Sequence, residues 1–247
     1  MIEYWELFGV DKALQKVEQL FDKDVAQFWH PCFKRLQLIP GANHIFKRIA
    51  SCKDIEQLQD YLTEIRYALL FVGLGFQVEI EPLGPKGLDL KIIRDGHPIL
   101  VEITRFRKIY PGPPVLDLSD ENTILPTYGN PPRDIRKAFE KILKKFPQVG
   151  DDEAIIAIWN DDEDMEEVEV NTAVIDLRND AAQERINLPI GLLFVLYGSK
   201  WVGGVGNRQL YCFPLQYLHQ SHHITLQKEL DTSQVGILIQ QALDDSK

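Results

Sequence analysis

The chain predicts an α/β domain over residues 53–247, preceded by a helical extension over residues 1–52. Three observations carry this. Ile55, Leu58, Leu62, Ile65, Leu69 and Val72 recur at helical spacing, and residues 76–104 then switch to alternation with period two. Asp95-Gly96 sits between two β-rich runs, a strong two-residue hairpin signal. A second amphipathic helix near 134–146 is followed by an apolar run at 154–159, so helix and strand alternate again.

In chain order, Leu14, Val17, Leu20 and Phe21, then Val25, Phe28 and Trp29, predict helices in the extension, punctuated by Pro31 and by Ile39-Pro40-Gly41. No chemistry is legible there, and the segment reads as a cap or as a partner-binding surface. The next helix starts near Asp54, where Asp54 and Gln57 resemble a capping box, and ends at Gly73 and Gly75. Glu64 lies on a flanking line of that helix with Tyr61, Ala68 and Phe71. It either snorkels at a boundary or points into a site. A strand at 76–81, a loop at 82–87 and the hairpin follow. A long Pro-, Gly-, Asp- and Asn-rich loop spans 111–132, of the kind that is often functional. Further strands are expected at 154–159, 192–197 and 209–213, with a glycine-rich turn at 198–207 and a closing helix at 233–243. His222-His223 is expected on a surface turn.

The hairpin holds the most informative feature. With Asp95-Gly96 as its loop, Arg94 opposes His97, Ile92 opposes Ile99, Leu90 opposes Val101 and Asp89 opposes Glu102. Leu88, Leu90, Ile92, Ile99, Val101 and Ile103 then share one wholly apolar face, while Asp89, Lys91, Glu102 and Thr104 share the other. A one-residue slip would bury both carboxylates in the apolar layer, so the facing is strongly specified. Two carboxylates opposite one another repel, and a divalent cation would offset that repulsion.

Composition limits the function classes. The N-terminus has no basic stretch before an apolar one, as a signal peptide needs, and the longest apolar stretch, Leu188 to Tyr197, is too short to span a bilayer. The three cysteines are far apart and suggest neither a disulfide framework nor a zinc site. No membrane association is expected, and a cytoplasmic setting is. The net charge of −10 argues against nucleic acid until it is localised. Ten acidic residues and no Lys or Arg lie between Asp151 and Glu169, which leaves 27 acidic and 27 basic residues elsewhere. Residues 160–167 read as a solvated acidic loop. Arg133 to Lys145 carries six basic and two acidic residues. Phosphate binding answers to such a local patch rather than to the total.

The order of elements, with Glu64 on a helix, Asp89 and Glu102 on consecutive strands and a basic amphipathic helix after them, resembles the PD-(D/E)XK nuclease superfamily over residues 54–159. The resemblance implies a restriction-endonuclease-like fold, a mixed β-sheet flanked by helices. It implies a metal-dependent nuclease that hydrolyses DNA, of a defence, restriction or repair type. Asp89 and Glu102 take the places of the motif's acidic residues and would ligate Mg²⁺ or Mn²⁺, and Glu64 resembles the helical Glu that many members add. Thr104 stands where the family has a catalytic Lys. Lys91, two residues from Asp89 on the same face, is the expected substitute, with Lys108 or a lysine of the 137–145 helix less constrained. DNA is the expected partner, through Arg133, Arg136, Lys137, Lys141 and Lys144 on the helix and Arg105, Arg107 and Lys108 beyond Glu102. A homodimer or a protein partner through the N-terminal helices stays open. The alternative is a catalytically degenerate member of the fold that binds nucleic acid or protein.

Overall fold

The computed structural model describes residues 4–21, 23–84, 87–107, 131–161, 165–199, 210–216, 220–231 and 235–244. Lys108, most of the 111–132 loop, the middle of the acidic loop and most of the glycine-rich turn lie outside the described residues. The elements run α1 (Tyr4–Leu20), α2 (Lys23–Leu36), α3 (Ala42–Ser51), α4 (Ile55–Gly73), β1 (Gln77–Ile80), β2 (Leu90–Arg94), β3 (His97–Phe106), α5 (Pro131–Leu143), α6 (Phe146–Val149), β4 (Ala154–Asn160), α7 (Glu167–Ala182), β5 (Leu192–Ser199), β6 (Leu210–Pro214), α8 (Ser221–Asp231) and α9 (Val235–Asp244).

The six described strands form one sheet in chain order. β1, β2 and β3 are an antiparallel meander, β3, β4 and β5 are parallel, and β6 returns antiparallel. Parallel neighbours need a crossover. The segments carrying α5–α6 and α7 supply the two, and both pack on one face of the sheet around Ile156, Ile158 and Val195. The opposite face carries Leu90, Ile92, Val101 and Ile103, beneath α1–α4 and α9. The chain is therefore an α/β protein with a mixed sheet covered by helices on both faces.

The hairpin register matches the sequence: Leu90 pairs with Val101, Ile92 with Ile99 and Arg94 with His97. Asp95 and Gly96 have φ of 54° and 80°, the two positive values that a type I′ turn requires. The Asp54 side chain accepts the Gln57 N–H at 2.8 Å, as an N-cap should.

Three segments differ from expectation. The helices of residues 1–52 are built into the main core. Val17, Trp29, Phe33, Ile45 and Ile49 are buried in the same cluster as Leu62, Leu69 and Val101, because α2 and α3 lay their apolar stripes on α4, α3 also meets β1, and α1 packs on α2 and α3. Gly41 makes one close backbone approach to β1 possible. Its φ is 86° and an added Cβ would stand 2.0 Å from the Ile80 carbonyl oxygen, while the Ile80 N–H donates to Pro40 O at 2.8 Å. The last residues of the acidic run begin a helix. Glu166 and Glu169 form a reciprocal capping box at the start of α7, where carboxylates satisfy free N–H groups and face the positive end of the helix dipole. His222 and His223 lie in α8 instead of a turn, and His223 is buried with Nε2 3.0 Å from Glu153 Oε2. No helix among the described residues is long and apolar enough to cross a membrane.

Candidate functional site

The backbone ladder between β2 and β3 stops at Leu90–Val101, one step short of the two carboxylates. Asp89 is then held from two sides. Its carbonyl accepts the Glu81 N–H at 2.8 Å, and its side chain accepts the Ile103 N–H at 2.7 Å. The Asp89 carboxylate thus replaces the lost ladder acceptor and stays fixed beside β3. Glu102 is 3 % exposed and pairs across the sheet with Ile156 of β4. Glu64 reaches the same place from the buried face of α4. Glu64, Asp89, Glu102, Thr104, Lys141 and Lys145 all line one cavity of about 470 Å³.

Lys145 supplies the cation. Its Nζ stands 2.5 Å from Glu102 Oε1. It occupies the junction between α5 and α6, and Phe146 and Val149 of α6 are buried beside it, so a short apolar anchor sets its position. Lys91 does not serve. It lies on β2 two residues nearer the turn than Asp89, opposite Glu79, and its Nζ is 3.5 Å from Glu79 Oε2. That cross-strand carboxylate draws it into a different depression, with Leu83 and His97. Thr104 lines both the carboxylate cavity and the groove along α5.

Burial raises the pKa of all three carboxyls. For Glu64 burial comes first and the neighbouring Asp89 second, opposed by Arg48, and the result is about 8. For Glu102 burial again comes first and Asp89 second, opposed by Lys145, and the result is about 7. Asp89 is raised by burial, partly countered by the Ile103 N–H and Lys145. Arg48 of α3 is hydrogen-bonded to Glu64 and stands 3.1 Å from Glu81 Oε1. Glu81 in turn is 3.2 Å from His44 Nδ1.

These directions carry a prediction for the metal-free protein. Carboxyls whose folded pKa lies above the unfolded value bind protons more tightly when folded. Their contribution therefore lowers stability as pH rises from about 4.5, the ordinary glutamate value, through about 7 and 8 for Glu102 and Glu64. Each proton released in that window costs about 1.4 kcal/mol per pH unit. Urea midpoints measured from pH 5 to 8.5 are expected to fall in this range, and Mg²⁺ to restore more stability at pH 8 than at pH 5.5. A midpoint that is flat with pH, with or without Mg²⁺, contradicts the burial of these charges.

The donor set suits a hard divalent ion with few protein ligands. Among the described residues, Glu102 Oε2 is buried without a hydrogen-bond partner, and Asp89 is the first charged neighbour to raise the Glu102 pKa. Mg²⁺ commonly takes one or two carboxylates and keeps its other positions for water or phosphate. Among the described residues, no group of three or more His, Cys, Asp or Glu side chains is arranged to hold a metal ion. The fit is to the Asp89–Glu102 pair, with Glu64 turned to Arg48.

The basic residues divide in two. Arg133, Arg136, Lys137, Lys141, Lys144 and Lys145 line a groove of about 700 Å³ that reaches the carboxylate cavity through Thr104. Arg136 is 81 % exposed and bridges to Glu140. Arg133 is exposed beside Asp134, and Lys137 lies over the Phe106 ring. Lys141 is drawn partly inward, donating to the Arg105 carbonyl at 2.5 Å, and burial followed by Arg107 lowers its pKa to about 8. Arg107 remains half exposed beside Asp60. Arg105 belongs elsewhere. Its side chain is 2 % exposed, and Asp60, Gln59, Asp161, the Glu56 carbonyl and the Glu56 carboxylate accept its N–H groups. All five donors of a guanidinium are thereby used, so Arg105 ties α4 to β3 and has none left for a phosphate.

Lys145 falls among the lysines of the 137–145 helix that the sequence offers as less constrained substitutes. Arg48, Glu81 and His44 do not stand out in the sequence. The Arg48 signal is weaker: His44 and Arg48 are four residues apart, which places them on one face of α3.

No family model matches the chain, and no curated protein and no solved structure matches it.

Proposed function

We propose that the chain is a Mg²⁺-dependent nuclease of the restriction-endonuclease-like fold that hydrolyses phosphodiester bonds in DNA. The observation that carries this reading is the convergence of Asp89, Glu102 and Lys145 in one cavity that opens onto the basic groove of α5. A resident cation would be Mg²⁺ or Mn²⁺, held by Asp89 and Glu102, and when bound it would polarise a phosphoryl oxygen and lower the pKa of a water. Lys145 holds its Nζ 2.5 Å from Glu102 Oε1, in a position to stabilise charge that grows on the phosphoryl group. It does from the start of α6 what the resemblance expects of a strand lysine at Thr104. The groove residues Lys137, Lys144 and Arg136 would position the phosphate backbone, which dominates affinity without reading sequence.

The decisive test is cleavage of single-stranded, double-stranded and branched DNA by purified protein with Mg²⁺ or Mn²⁺, beside an Asp89→Ala preparation. Cleavage by the wild type alone supports the reading, and intact DNA in all cases refutes it. Binding offers a separate check. Replacing both Lys137 and Lys144 with Glu is expected to weaken DNA binding at every sequence and to lessen the slope of log affinity on log salt by about 2, roughly one per lost phosphate contact. An unchanged slope in a salt titration by fluorescence anisotropy would place the DNA elsewhere.

A further inference from the structure

Arg48 is paired with Glu64, the carboxylate that would otherwise be the site's third anionic ligand. The arginine comes from α3, in the segment that carried no legible chemistry, and three contacts fix it. Its guanidinium hydrogen-bonds Glu64, lies 3.1 Å from Glu81 Oε1 and covers the Tyr61 ring at 4.7 Å. The backbone prepares this. Gly41 allows α3 to start against β1, so the face bearing His44 and Arg48 passes over the end of that strand. Glu81 takes a left-handed backbone there, with φ of 49°, and its N–H holds Asp89. One residue therefore anchors both the arginine and the first carboxylate.

We propose that Arg48 withdraws Glu64 from metal coordination and limits the site to one divalent cation, held between Asp89 and Glu102. This rests on the metal-dependent reading given above. Charge agrees with it. Glu64, Glu81, Asp89 and Glu102 bring four negative charges when ionised, and Arg48 and Lys145 bring two positive ones. The remaining two negative charges equal the charge of one divalent ion. A second cation near Glu64 would meet the guanidinium directly, and like charges in contact repel even at the effective dielectric of a protein surface. Arg48 is then a positioning residue. It touches no reacting atom and acts by fixing what Glu64 does.

The test counts ions on the full chain. Free Mn²⁺ is followed by electron paramagnetic resonance at pH 8 while protein is titrated in. The wild type is expected to bind one Mn²⁺ per chain. Glu64→Gln is expected to keep that stoichiometry with an affinity change under about 3-fold, below the roughly 10- to 100-fold typical of losing even an outer partner of a metal ligand. Arg48→Met frees Glu64 and is expected to add a second Mn²⁺, whereas Arg48→Lys, which retains the charge, is expected to stay at one. Two ions on the wild type, or an affinity loss of about 10-fold or more in Glu64→Gln, overturns the proposal while leaving a metal site in place. No Mn²⁺ on the wild type overturns the metal-dependent reading itself. Should Arg48→Met fail to fold by circular dichroism, the wild-type count and Glu64→Gln decide the matter alone.

Discussion

Glu102→Gln is expected to lower Mg²⁺-dependent DNA cleavage by about 10³-fold, or roughly 4 kcal/mol of transition-state stabilisation, and to raise the stability of the metal-free protein at pH 8. The two effects have one cause. Glu102 is buried, its Oε2 has no hydrogen-bond partner among the described residues, and burial with Asp89 nearby pushes its pKa up to about 7. An amide of the same shape removes the charge and with it the cost of ionising Glu102 above that pH. It also removes the ligand that a divalent ion needs. Single-turnover cleavage of a labelled duplex measures the first effect, and urea denaturation at pH 8 and pH 5 measures the second. The stability gain is expected to be large at pH 8 and small at pH 5, and to vanish only below about 4.5, the ordinary glutamate value, where the unfolded carboxyl is protonated too. Glu79→Gln is the matched control, because Glu79 pairs with Lys91 outside the cavity. Equal cleavage by Glu102→Gln and wild type would remove Glu102 from the chemistry.

Lys145→Met is expected to reduce cleavage by about 10²-fold, the order seen when one preorganised donor is taken from a developing charge, whereas Lys91→Met is expected to leave it unchanged. Lys145 lowers the Glu102 pKa both through its hydrogen bond and through its charge. Its loss therefore leaves Glu102 protonated to a higher pH, and the pH needed for Mn²⁺ binding should rise with it. Glu102 is a buried member of this pair, so removing the lysine alone costs stability, on the order of the 3–5 kcal/mol found when one partner of a buried ion pair is deleted. Combining it with Glu102→Gln should recover most of that loss. A double-mutant cycle in urea, with the four proteins compared at pH 8, reads the coupling directly. If Lys91→Met proves the damaging variant, the site has been assigned to the wrong end of the hairpin.

Much of this site is legible in the order of the residues alone. The alternation of Leu88 to Ile103 and the Asp95-Gly96 turn determine which face of the hairpin Asp89 and Glu102 occupy, because period-two burial and a two-residue turn are local facts. The same holds for the Asp54 cap, the α4 stripe and the basic face of α5. A pattern of this kind says which side of an element a residue takes. It does not say what arrives from elsewhere in the chain.

That limit accounts for the residues whose partners lie elsewhere. Lys91 shares a sheet face with Asp89, as its spacing requires, but a strand face also has length, and Glu79 on β1 lies nearer. Arg105 continues the chain beyond Glu102 and so resembles part of a basic patch. Its five donors are satisfied by Glu56, Gln59, Asp60 and Asp161, residues some 45 and more positions away in sequence. The α7 helix is hidden in an acidic run because its carboxylates act as caps at the helix start.

The sequence by itself determined an α/β chain with a β-hairpin that presents two carboxylates on its polar side, and a basic amphipathic helix after it. Only the tertiary structure decided which cations answer those carboxylates. Lys145 arrives from the α5–α6 junction and Arg48 from α3, across sequence separations of 43 and 16 residues from Glu102 and Glu64. The physical reason is that backbone periodicity is local, whereas the electrostatics of a buried charge depend on every group within a few ångströms, whatever its place in the chain.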